Sequence, residues 1–315
     1  MKPQKTTETS LSVVIPVFNG QHTLAELLGR LQPVLDEVAC SYEAILVNDG
    51  SRDESWQVIQ KLAQKYPCVR GINLMRNYGQ HNALLAGIRS AQYDVIVTMD
   101  DDLQHPPEEI PHLLARLDAG YDVVYGTPQE EQHGLWRDLA SQVTKLALEA
   151  SMGVDVARNV SAFRVFRARV RDAFMHYQGS FVSLDVLLGW GTTRFAAVAV
   201  RHESRKAGVS NYTFRKLVVH AINMVTGFSI LPLQLASLLG FGFTLFGMIV
   251  LAYVLGRYFL EGGSVAGFPF LASIIAIFSG AQLLTLGVFG EYLARMHFRI
   301  MDKPTYVVRS TTEDS

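Results

Sequence analysis

The sequence predicts an α/β fold in which a mostly parallel sheet carries helices on both faces, followed by an amphipathic helix and two transmembrane helices. Apolar, strand-like runs alternate with helical patterns from Leu11 to about Gly126. Polar residues end several of these runs, and two long uncharged stretches lie near the carboxyl end. Strands separated by helices of this length favour right-handed crossovers, which bring the strands together as a parallel sheet.

The first elements of the sheet are read from periodicity. LSVVIPVF is predicted as a strand, and the leucines between residues 24 and 31 recur on one face of a helix. YEAILVNDGS predicts a second strand and turn, where Ser51 and Glu54 have capping-box spacing for the next helix. CVRGINL, a helix over residues 80–90, the strand before Asp100, a further helix and YDVVYG continue the alternation.

The middle of the chain gives weaker signals. Helices are expected near residues 136–149 and 181–188, and residues 194–202 have the pattern of a strand. Residues 201–216 carry five basic side chains, and an apolar helical stripe follows over residues 214–228. A basic flank beside such a stripe is typical of a helix that lies in the membrane interface, with packing in a protein core as the alternative.

Two segments, Leu231–Gly256 and Gly267–Gly290, contain no charged residue. At about 1.5 Å per residue, each is longer than the roughly 30 Å hydrocarbon core of a bilayer, so two transmembrane helices are predicted. Basic residues flank the outer ends of the pair, which by the positive-inside rule places both termini and the α/β domain in the cytoplasm. Each segment has two small residues four apart, a spacing that allows close helix packing: Ala236 and Gly240, and Ala276 and Gly280.

These signals divide the chain into a cytoplasmic α/β domain (1–210), an amphipathic interface helix (211–230), a transmembrane hairpin (231–295) and a cytoplasmic tail (296–315). The 315 residues carry a net charge of −1, which argues against a nucleic-acid partner. The hydrophobic fraction of 49% is concentrated toward the carboxyl end. Cys40 and Cys68 lack the spacing of a metal site and are interpreted as reduced thiols.

Three consecutive carboxylates, Asp100 to Asp102, directly follow a buried strand in the sequence VIVTMDDDLQHPP. On extended chain Asp100 and Asp102 point to the same side and Asp101 points away. Such a pair suits a divalent cation that also holds a diphosphate, and an acidic turn before the next helix is the alternative. Asn19 and Asp49 end two other strands, and their predicted position on the same sheet edge favours the metal site.

Four motifs, in this order, resemble family-2 glycosyltransferases of the Rossmann-like GT-A fold: VVIPVFNG, VNDGSRDES, RNYGQHNALLAG and MDDDLQHPPEEIP. With the basic loop and two terminal membrane helices, the chain resembles the polyprenyl-phosphate glycosyltransferases in particular. That group includes dolichol-phosphate mannose synthases, bactoprenol glucosyltransferases and undecaprenyl-phosphate formamido-arabinose transferases. The last of these are the most similar in RNYGQH and DLQHPPEEIP.

The resemblance implies a donor site at the strand ends. The residues implied in nucleotide binding are Pro16, Asn19, Asp49, Arg76, Asn77, Gln80, Asp100 and Asp101. Asp100 and Asp102 match the family's metal-binding pair for Mg²⁺ or Mn²⁺ and are predicted to be catalytic. Asp101 replaces a residue that is usually small, and we expect its side chain to be exposed and to take no part in ligation. Structural alternatives remain open for several positions: a strand end at Pro16, a turn at Asp49, a helix cap at Asn77, a structural role for His81, and a polar loop at Gln104 and His105.

The acceptor side departs from the family pattern. Relatives often carry an aspartate before an FRL segment as a candidate base, whereas Asn159, Ser161 and Ala162 supply no carboxylate here. A lipid phosphate is largely dianionic at pH 7, so it needs positioning and charge compensation more than deprotonation. The resemblance implies contacts to the acceptor phosphate or sugar from Gln104, Ser161, Arg164, Arg201, Arg205, Lys206, Ser210 and Tyr212, of which Arg164 and Arg205 are predicted to be catalytic. Asn211 stands where the family usually has lysine, and attraction to anionic lipid headgroups is the alternative role for the basic residues.

We therefore expect a metal-dependent, inverting glycosyltransferase of the cytoplasmic (inner) membrane. It would move one sugar from a nucleotide-diphosphate sugar, with UDP the favoured nucleotide, to undecaprenyl or dolichyl phosphate. The expected partners are these two substrates, the bilayer and further copies of the chain, with a tetramer as the family-level expectation. Two alternatives remain: a non-catalytic nucleotide-binding membrane sensor, and a polysaccharide synthase, for which the QxxRW motif and additional membrane helices are missing.

Overall fold

The computed structural model describes residues 9–128, 160–179, 182–203, 231–261, 267–301 and 303–314. The predicted interface helix over residues 211–230 lies outside these ranges. The chain divides into two compact units, of which one contains the sheet together with the last residues of the chain. The other unit contains two long helices.

Eight strands form a single sheet. They are β1 (Ser10–Val17), β2 (Ser41–Asn48), β3 (Val69–Leu74), β4 (Val95–Thr98), β5 (Val123–Pro128), β6 (Arg164–Arg167), β7 (Phe195–Val200) and β8 (Val308–Thr311). Their order across the sheet is β7-β5-β6-β4-β1-β2-β3-β8. Only β6 and β8 run against the others, so the predicted mostly parallel sheet is confirmed.

In the part of the chain that the structure describes, five helices accompany the sheet: α1 (Leu24–Val38), α2 (Ser55–Lys65), α3 (Gln80–Ser90), α4 (Ile110–Asp118) and α5 (Leu184–Gly191). Short 3₁₀ turns at Pro107–Glu109 and Ala168–Phe174 link some of these elements. The leucines of α1 and α4 pack into one core with Val13 and Ile15 on one face of β1. On the other face α3 packs so closely that Gly87 lies against Val14 and Val47. Helices on both faces explain why β1 reads as a continuous apolar run.

The prediction that residues 296–315 form a separate tail is corrected by the structure of these residues. A long helix continues to Ile300, and β8 then pairs antiparallel with β3. Thr312 Oγ1 accepts a hydrogen bond of 2.9 Å from the Gly71 N–H, beyond the end of the strand ladder. The edge of β3 would otherwise carry unpaired backbone groups, which β8 satisfies. The predicted tail is therefore part of the sheet domain.

The second unit is a hairpin of α6 (Leu231–Glu261) and α7 (Phe268–Ile300). Both helices contain spans long and apolar enough to cross a membrane, Pro232–Arg257 and Ile277–His297. An apolar groove of about 890 Å³ runs between them. Gly240 and Gly280 line this groove with open space around them, so neither glycine makes a close contact between these two helices.

The tight packing of α3 on the sheet leads to a stability prediction. An alanine Cβ at Gly87 would overlap Val14, so Gly87→Ala is expected to lower the free energy of unfolding by about 1–3 kcal/mol. Gly29 in α1 is exposed with nothing near its Cα, so Gly29→Ala is the matched control and should stabilise by about 0.5–1 kcal/mol. Thermal or denaturant unfolding of both variants measures the difference. A stabilising Gly87→Ala would contradict the packing described here.

Candidate active site

Four loops follow the carboxyl ends of neighbouring strands β1 to β4. The first loop spans residues 18–23, the second 49–54, the third 75–79 and the fourth 99–106. Because β1 to β4 are parallel neighbours in the sheet, these loops lie at one edge. This is the edge where the sequence predicts the donor site, and open parallel sheets bind ligands there.

The first and second loops are joined by hydrogen bonds in both directions. Asn19, with a left-handed φ of 57°, donates its N–H to Ser51 Oγ at 3.0 Å and accepts from the Arg52 N–H at 2.9 Å. The Gln21 N–H donates to Asp53 Oδ2 at 3.2 Å. These bonds fix Asn19, a predicted nucleotide-binding residue, as a connector whose side-chain oxygen is already engaged.

The predicted capping box of α2 is wrong. The helix begins at Ser55, and the Ser51 hydroxyl is used by the first loop instead. Ser55 Oγ in turn accepts from the Gly20 N–H at 2.9 Å, so the start of α2 also holds the first loop. Serine hydroxyls bond to whichever backbone group lies nearest, and here the partner comes from a distant part of the chain.

Asp49 binds the third loop. Its two carboxylate oxygens accept the N–H groups of Tyr78 at 2.7 Å and Gly79 at 2.8 Å. Burial raises the pKa of Asp49, and these two hydrogen bonds oppose the shift. Next to it Gly50 has φ of 64°, and a Cβ there would overlap the backbone of Arg76. Asp49 therefore positions the third loop, whereas its contact with a nucleotide stays a prediction.

The outer carboxylates of the triplet are oriented by neighbouring groups. Gln80, the first residue of α3, donates its side-chain amide to Asp100 Oδ1 at 2.6 Å. Asp102 Oδ1 accepts the N–H of Gln104 at 3.1 Å. Both aspartates are partly exposed at the sheet edge, where a ligand can reach them. The structure thus brings together four predicted site residues, Gln80, Asp100, Asp102 and Gln104.

The prediction that the Asp101 side chain is exposed is corrected: the residue is only partly exposed, like Asp100 and Asp102, and one of its carboxylate oxygens is enclosed. Its carboxylate turns back against Gly20, where a Cβ would overlap Oδ2. Oδ2 is enclosed and has no hydrogen-bond partner in the part of the chain that the structure describes. Burial, reinforced by the charges of Asp100 and Asp102, raises the pKa of Asp101 to about 7. The middle aspartate is therefore packed between the fourth and first loops.

The donor set of this edge fits a divalent cation that shares its coordination with a ligand. Within the described ranges, no group of three histidine, cysteine or acidic side chains is arranged to hold a metal. Asp100 and Asp102 supply two carboxylates, and Mg²⁺ in phosphate sites is commonly held by one or two carboxylates plus substrate oxygens and water. Two partly exposed carboxylates match that arrangement, because they leave coordination positions of the cation open to substrate oxygens and water.

The residues after β7 are tied to the fourth loop and the turn that follows it. The Glu203 N–H donates to the Gln104 carbonyl at 2.9 Å. Arg30 bonds both Glu108 at 2.9 Å and Glu203 at 3.0 Å. Arg201, predicted to contact the acceptor, donates to Glu109 Oε1 at 2.5 Å. These contacts direct the start of the basic segment toward the edge that carries the triplet.

His105 lies in an aromatic cluster between these segments. Its ring stacks on Phe163 with centroids 5.4 Å apart and meets the His202 ring edge-on at 5.1 Å. Burial, with smaller contributions from the charges of His202 and Arg164, lowers the pKa of His105 to about 4, and Asp102 opposes this shift. His105 is therefore neutral at pH 7 and packs as an aromatic ring.

The predicted role of Arg164 as an acceptor contact is corrected. Arg164 is only 2% exposed, and its Nη1 bonds Asp185 Oδ1 at 2.7 Å. The Tyr125 hydroxyl bonds the same oxygen at 3.2 Å. A buried charge needs a partner within the protein, and Asp185 takes that place. Arg164 thus links β6 to α5 inside the domain and does not present its charge at the surface.

The remaining predicted residues have mixed outcomes. Pro16 is buried within β1 and belongs to the sheet, not to the loop. Arg76 and Asn77 are exposed in the third loop, and Asn77 does not cap α3, because Gly79 precedes the helix without a side-chain cap.

Among the other predicted residues, Ser161 Oγ accepts the N–H of Phe163. His81 is structural, since its Nδ1 accepts the Leu184 N–H at 3.2 Å. Four predicted acceptor residues lie outside the described residues: Arg205, Lys206, Ser210 and Tyr212.

The sequence did not predict two ion pairs of this region, Arg164 with Asp185 and Arg30 with Glu203. Asp185 is a lone charge in the apolar stretch LDVLLGW, and such a residue signals a buried partner. Arg30 lies on the helix face next to the leucines of α1, and nothing in its local sequence points to Glu203, 173 residues away.

Residues 12–176 match the model of the family described as Glycosyl transferase family 2. The chain belongs to this family. The matched region spans β1 to β6 and includes all four loops of the site.

Several curated relatives extend the family match over nearly the whole chain. The chain is 34% identical over 309 residues to the undecaprenyl-phosphate 4-deoxy-4-formamido-L-arabinose transferase of Pseudomonas syringae, covering 97% of this chain and 91% of the relative. It is 36% identical to the protein of the same name in Pseudomonas aeruginosa, covering 96% and 91%. The Shewanella sediminis relative of that name is 36% identical, covering 95% and 91%.

Solved structures of this fold include glucosyl-3-phosphoglycerate synthase from Mycobacterium tuberculosis. Its complex with phosphoglyceric acid superposes with a TM-score of 0.51 at 19% identity, covering 69% of this chain and 78% of that one. A complex of the same enzyme with Mn²⁺, UDP-glucose and phosphoglyceric acid has a TM-score of 0.50 at 18% identity, with 69% and 78% covered. At this identity the likeness establishes the GT-A fold alone.

The buried state of His105 leads to a pH prediction. The unfolded chain protonates this histidine near pH 6.5, whereas the folded chain keeps it neutral down to about pH 4. Its contribution to stability is therefore present above pH 6.5 and is lost as the pH falls toward 4. His105→Phe keeps a ring against Phe163 and removes this loss, which we expect to be on the order of 2 kcal/mol.

Thermal unfolding of both proteins between pH 4 and 7 measures the effect. His176→Gln, which removes an exposed histidine outside the aromatic cluster, is measured as the control. Equal acid slopes for the wild type and His105→Phe would refute the assignment.

Proposed function

We propose that this chain transfers a single sugar from a nucleoside-diphosphate sugar to a polyprenyl phosphate, with inversion at the anomeric carbon. The observation that carries the proposal is the oriented pair Asp100 and Asp102 at the carboxyl edge of a family-2 sheet. The acceptor class is supported by relatives named undecaprenyl-phosphate transferases, which match the chain over almost its full length. Two helices apolar enough to cross a membrane suit a lipid-linked acceptor.

On the donor side, the protein's part is to hold charge in place. Gln80 orients Asp100, and the Gln104 N–H orients Asp102, so both carboxylates face the ligand already positioned. Asp100 and Asp102 would hold a divalent cation, Mg²⁺ or Mn²⁺, which when bound would supply positive charge to the leaving diphosphate, a Lewis-acid role that needs no proton donor. The first loop, with Asn19, and the third loop, with Arg76 and Asn77, frame the edge where the nucleotide would lie.

On the acceptor side, an oxygen of the lipid phosphate forms a bond to the anomeric carbon as the bond from that carbon to the diphosphate oxygen breaks. No carboxylate stands at Asn159, Ser161 or Ala162 to act as a base. The second pKa of a phosphate monoester is near 6, so the nucleophile is largely dianionic and needs no deprotonation. We assign its charge compensation to Arg205 and Lys206, with Ser210 and Tyr212 as hydrogen-bonding partners.

The donor nucleotide is proposed to be UDP, because the motifs around Asp49 and the triplet resemble those of the family.

The proposed topology places the sheet domain and both termini in the cytoplasm. Arg295, Arg299 and Lys303 flank one end of the hairpin, and the basic residues within 201–216 flank the other. The proposed assembly is a homo-oligomer in the inner membrane. Arg201, which precedes Arg205 and Lys206 in the chain, is held by its bond to Glu109.

The reaction class is tested with the full-length protein purified in detergent. Radiolabelled nucleotide sugars, polyprenyl phosphate and Mn²⁺ are expected to give a radioactive lipid-linked product with at least one donor. Release of label by mild acid identifies a sugar phosphodiester. Tight nucleotide binding without lipid product from any donor would instead support a non-catalytic sensor. A growing polymer would support a polysaccharide synthase.

The two outer carboxylates provide a sharper test of the site. Asp100→Asn and Asp102→Asn are each expected to lower kcat by about 10²-fold or more, because the neutral amide binds the cation weakly and leaves the diphosphate charge uncompensated. Asp118→Asn, in the last turn of α4, is the control and should keep the wild-type rate. The fold should survive, since removing one of three neighbouring like charges relieves repulsion. Wild-type turnover in Asp100→Asn would remove the metal role from the triplet.

A further inference from the structure

The residues that follow α7 bind the backbone of the third loop. We call residues 306–311 the carboxyl-terminal strap. The Met75 N–H donates to the Val307 carbonyl at 2.9 Å, and the Met75 carbonyl accepts from Arg309 Nη2 at 3.0 Å. The strap therefore holds both backbone groups of the residue that opens the loop. The ladder between β3 and β8 shifts register between Asn73 and Leu74, just before this point. Such irregularities often re-aim a chain next to a functional site.

The third loop leads from the strap to the carboxylate triplet. Five residues after Met75, Gln80 donates its side-chain amide to Asp100 at 2.6 Å. Between them, the N–H groups of Tyr78 and Gly79 bond the buried Asp49. The loop is thus fixed on its inner side by Asp49 and at its start by the strap. A shift at Met75 has few residues over which to relax before it reaches Gln80.

A second contact joins the strap to α3. The Arg89 guanidinium lies over the Tyr306 ring at 5.6 Å, and the same side chain donates to the Tyr177 carbonyl at 2.6 Å. Arg89 is in the last turn of α3, and Gln80 is the first residue of that helix. The strap therefore touches both the loop that enters α3 and the end at which α3 finishes. Both contacts bear on the helix that presents Gln80.

We propose that the carboxyl-terminal strap positions the donor site, with Arg309 as the positioning residue: it holds Met75 so that Gln80 meets Asp100. The ligand whose binding depends on this is a divalent cation bound to a nucleoside diphosphate. The inference rests on the proposed function, because Gln80 orients a donor ligand only if Asp100 binds one. The segment that follows the second predicted membrane span in the chain would then help to position the third loop.

The coupling itself is tested without a ligand by amide hydrogen exchange on the full-length protein in detergent. Arg309→Met removes the guanidinium and keeps the aliphatic stem, so exchange at Tyr78 and Gly79 is expected to be about fivefold faster. Glu313→Gln is the matched control, because it removes another ionic contact near β8, the 2.6 Å bond to Arg70, away from the third loop. Exchange at the two amides should be unchanged in that variant.

Arg309→Lys restores a donor that can reach the Met75 carbonyl, so it should recover much of the wild-type protection. Wild-type exchange in Arg309→Met overturns the proposal. Equal acceleration in Arg309→Met and Glu313→Gln also overturns it, because β8 would then act only as a general support of the sheet edge.

The functional consequence is tested with UDP and Mn²⁺ as the probe. Arg309→Met should weaken UDP–Mn²⁺ binding about fivefold, whereas the KM for polyprenyl phosphate and the affinity of Glu313→Gln for the probe should stay at wild-type values. Faster exchange without weaker binding overturns the positioning role. Absence of UDP–Mn²⁺ binding in the wild type counts against the proposed donor, and the exchange comparison still decides whether the strap holds the loop.

Discussion

Negative charge gathered at one edge of the sheet is the constraint around which this domain is built. In the described residues, carboxylates end or follow β2, β4 and β7 within one region, and each group is balanced in a different way. Asp49 uses backbone N–H groups, and the glutamates near α4 use arginines. In the triplet, burial and the charges of Asp100 and Asp102 raise the pKa of Asp101, so gathering three carboxylates here has an electrostatic cost. In the proposed function, a divalent cation at Asp100 and Asp102 would lower that cost.

Polar contacts between the loops also explain how the site is held together. Backbone N–H groups bonded to Asp49 fix the third loop, and Asn19 with Ser51 fixes the first loop to the second. The ionic contacts of Arg30 fix the segment after β7. Each connection uses a polar group that would be costly to bury without a hydrogen-bond partner. The same hydrogen bonds therefore satisfy these groups and fix the loops that form the site.

Much of the fold was predictable, because local pattern carries it. The continuous apolar runs of parallel strands, the helical leucines and the polar strand ends are short-range signals, and Asp100, Asp102 and the helix at 80–90 were found from them. What escaped prediction depends on contacts across long separations. Arg164 looked like a surface cation until α5 brought Asp185 to it, and Asp101 looked exposed because strand alternation says nothing about Gly20. The pairing of β8 with β3 spans more than two hundred residues.

The position of β8 in the chain has a consequence for biosynthesis. Seven strands of the sheet are complete before the ribosome reaches the hairpin, but the strand that covers β3 is made only after the second membrane span. Until then β3 is an open edge, the kind that pairs with other chains. In the proposed membrane arrangement, β3 would therefore stay unprotected while the hairpin inserts, and the residues after α7 would then cover it. Early termination within α7 would leave β3 as an unpaired edge that can pair with another chain.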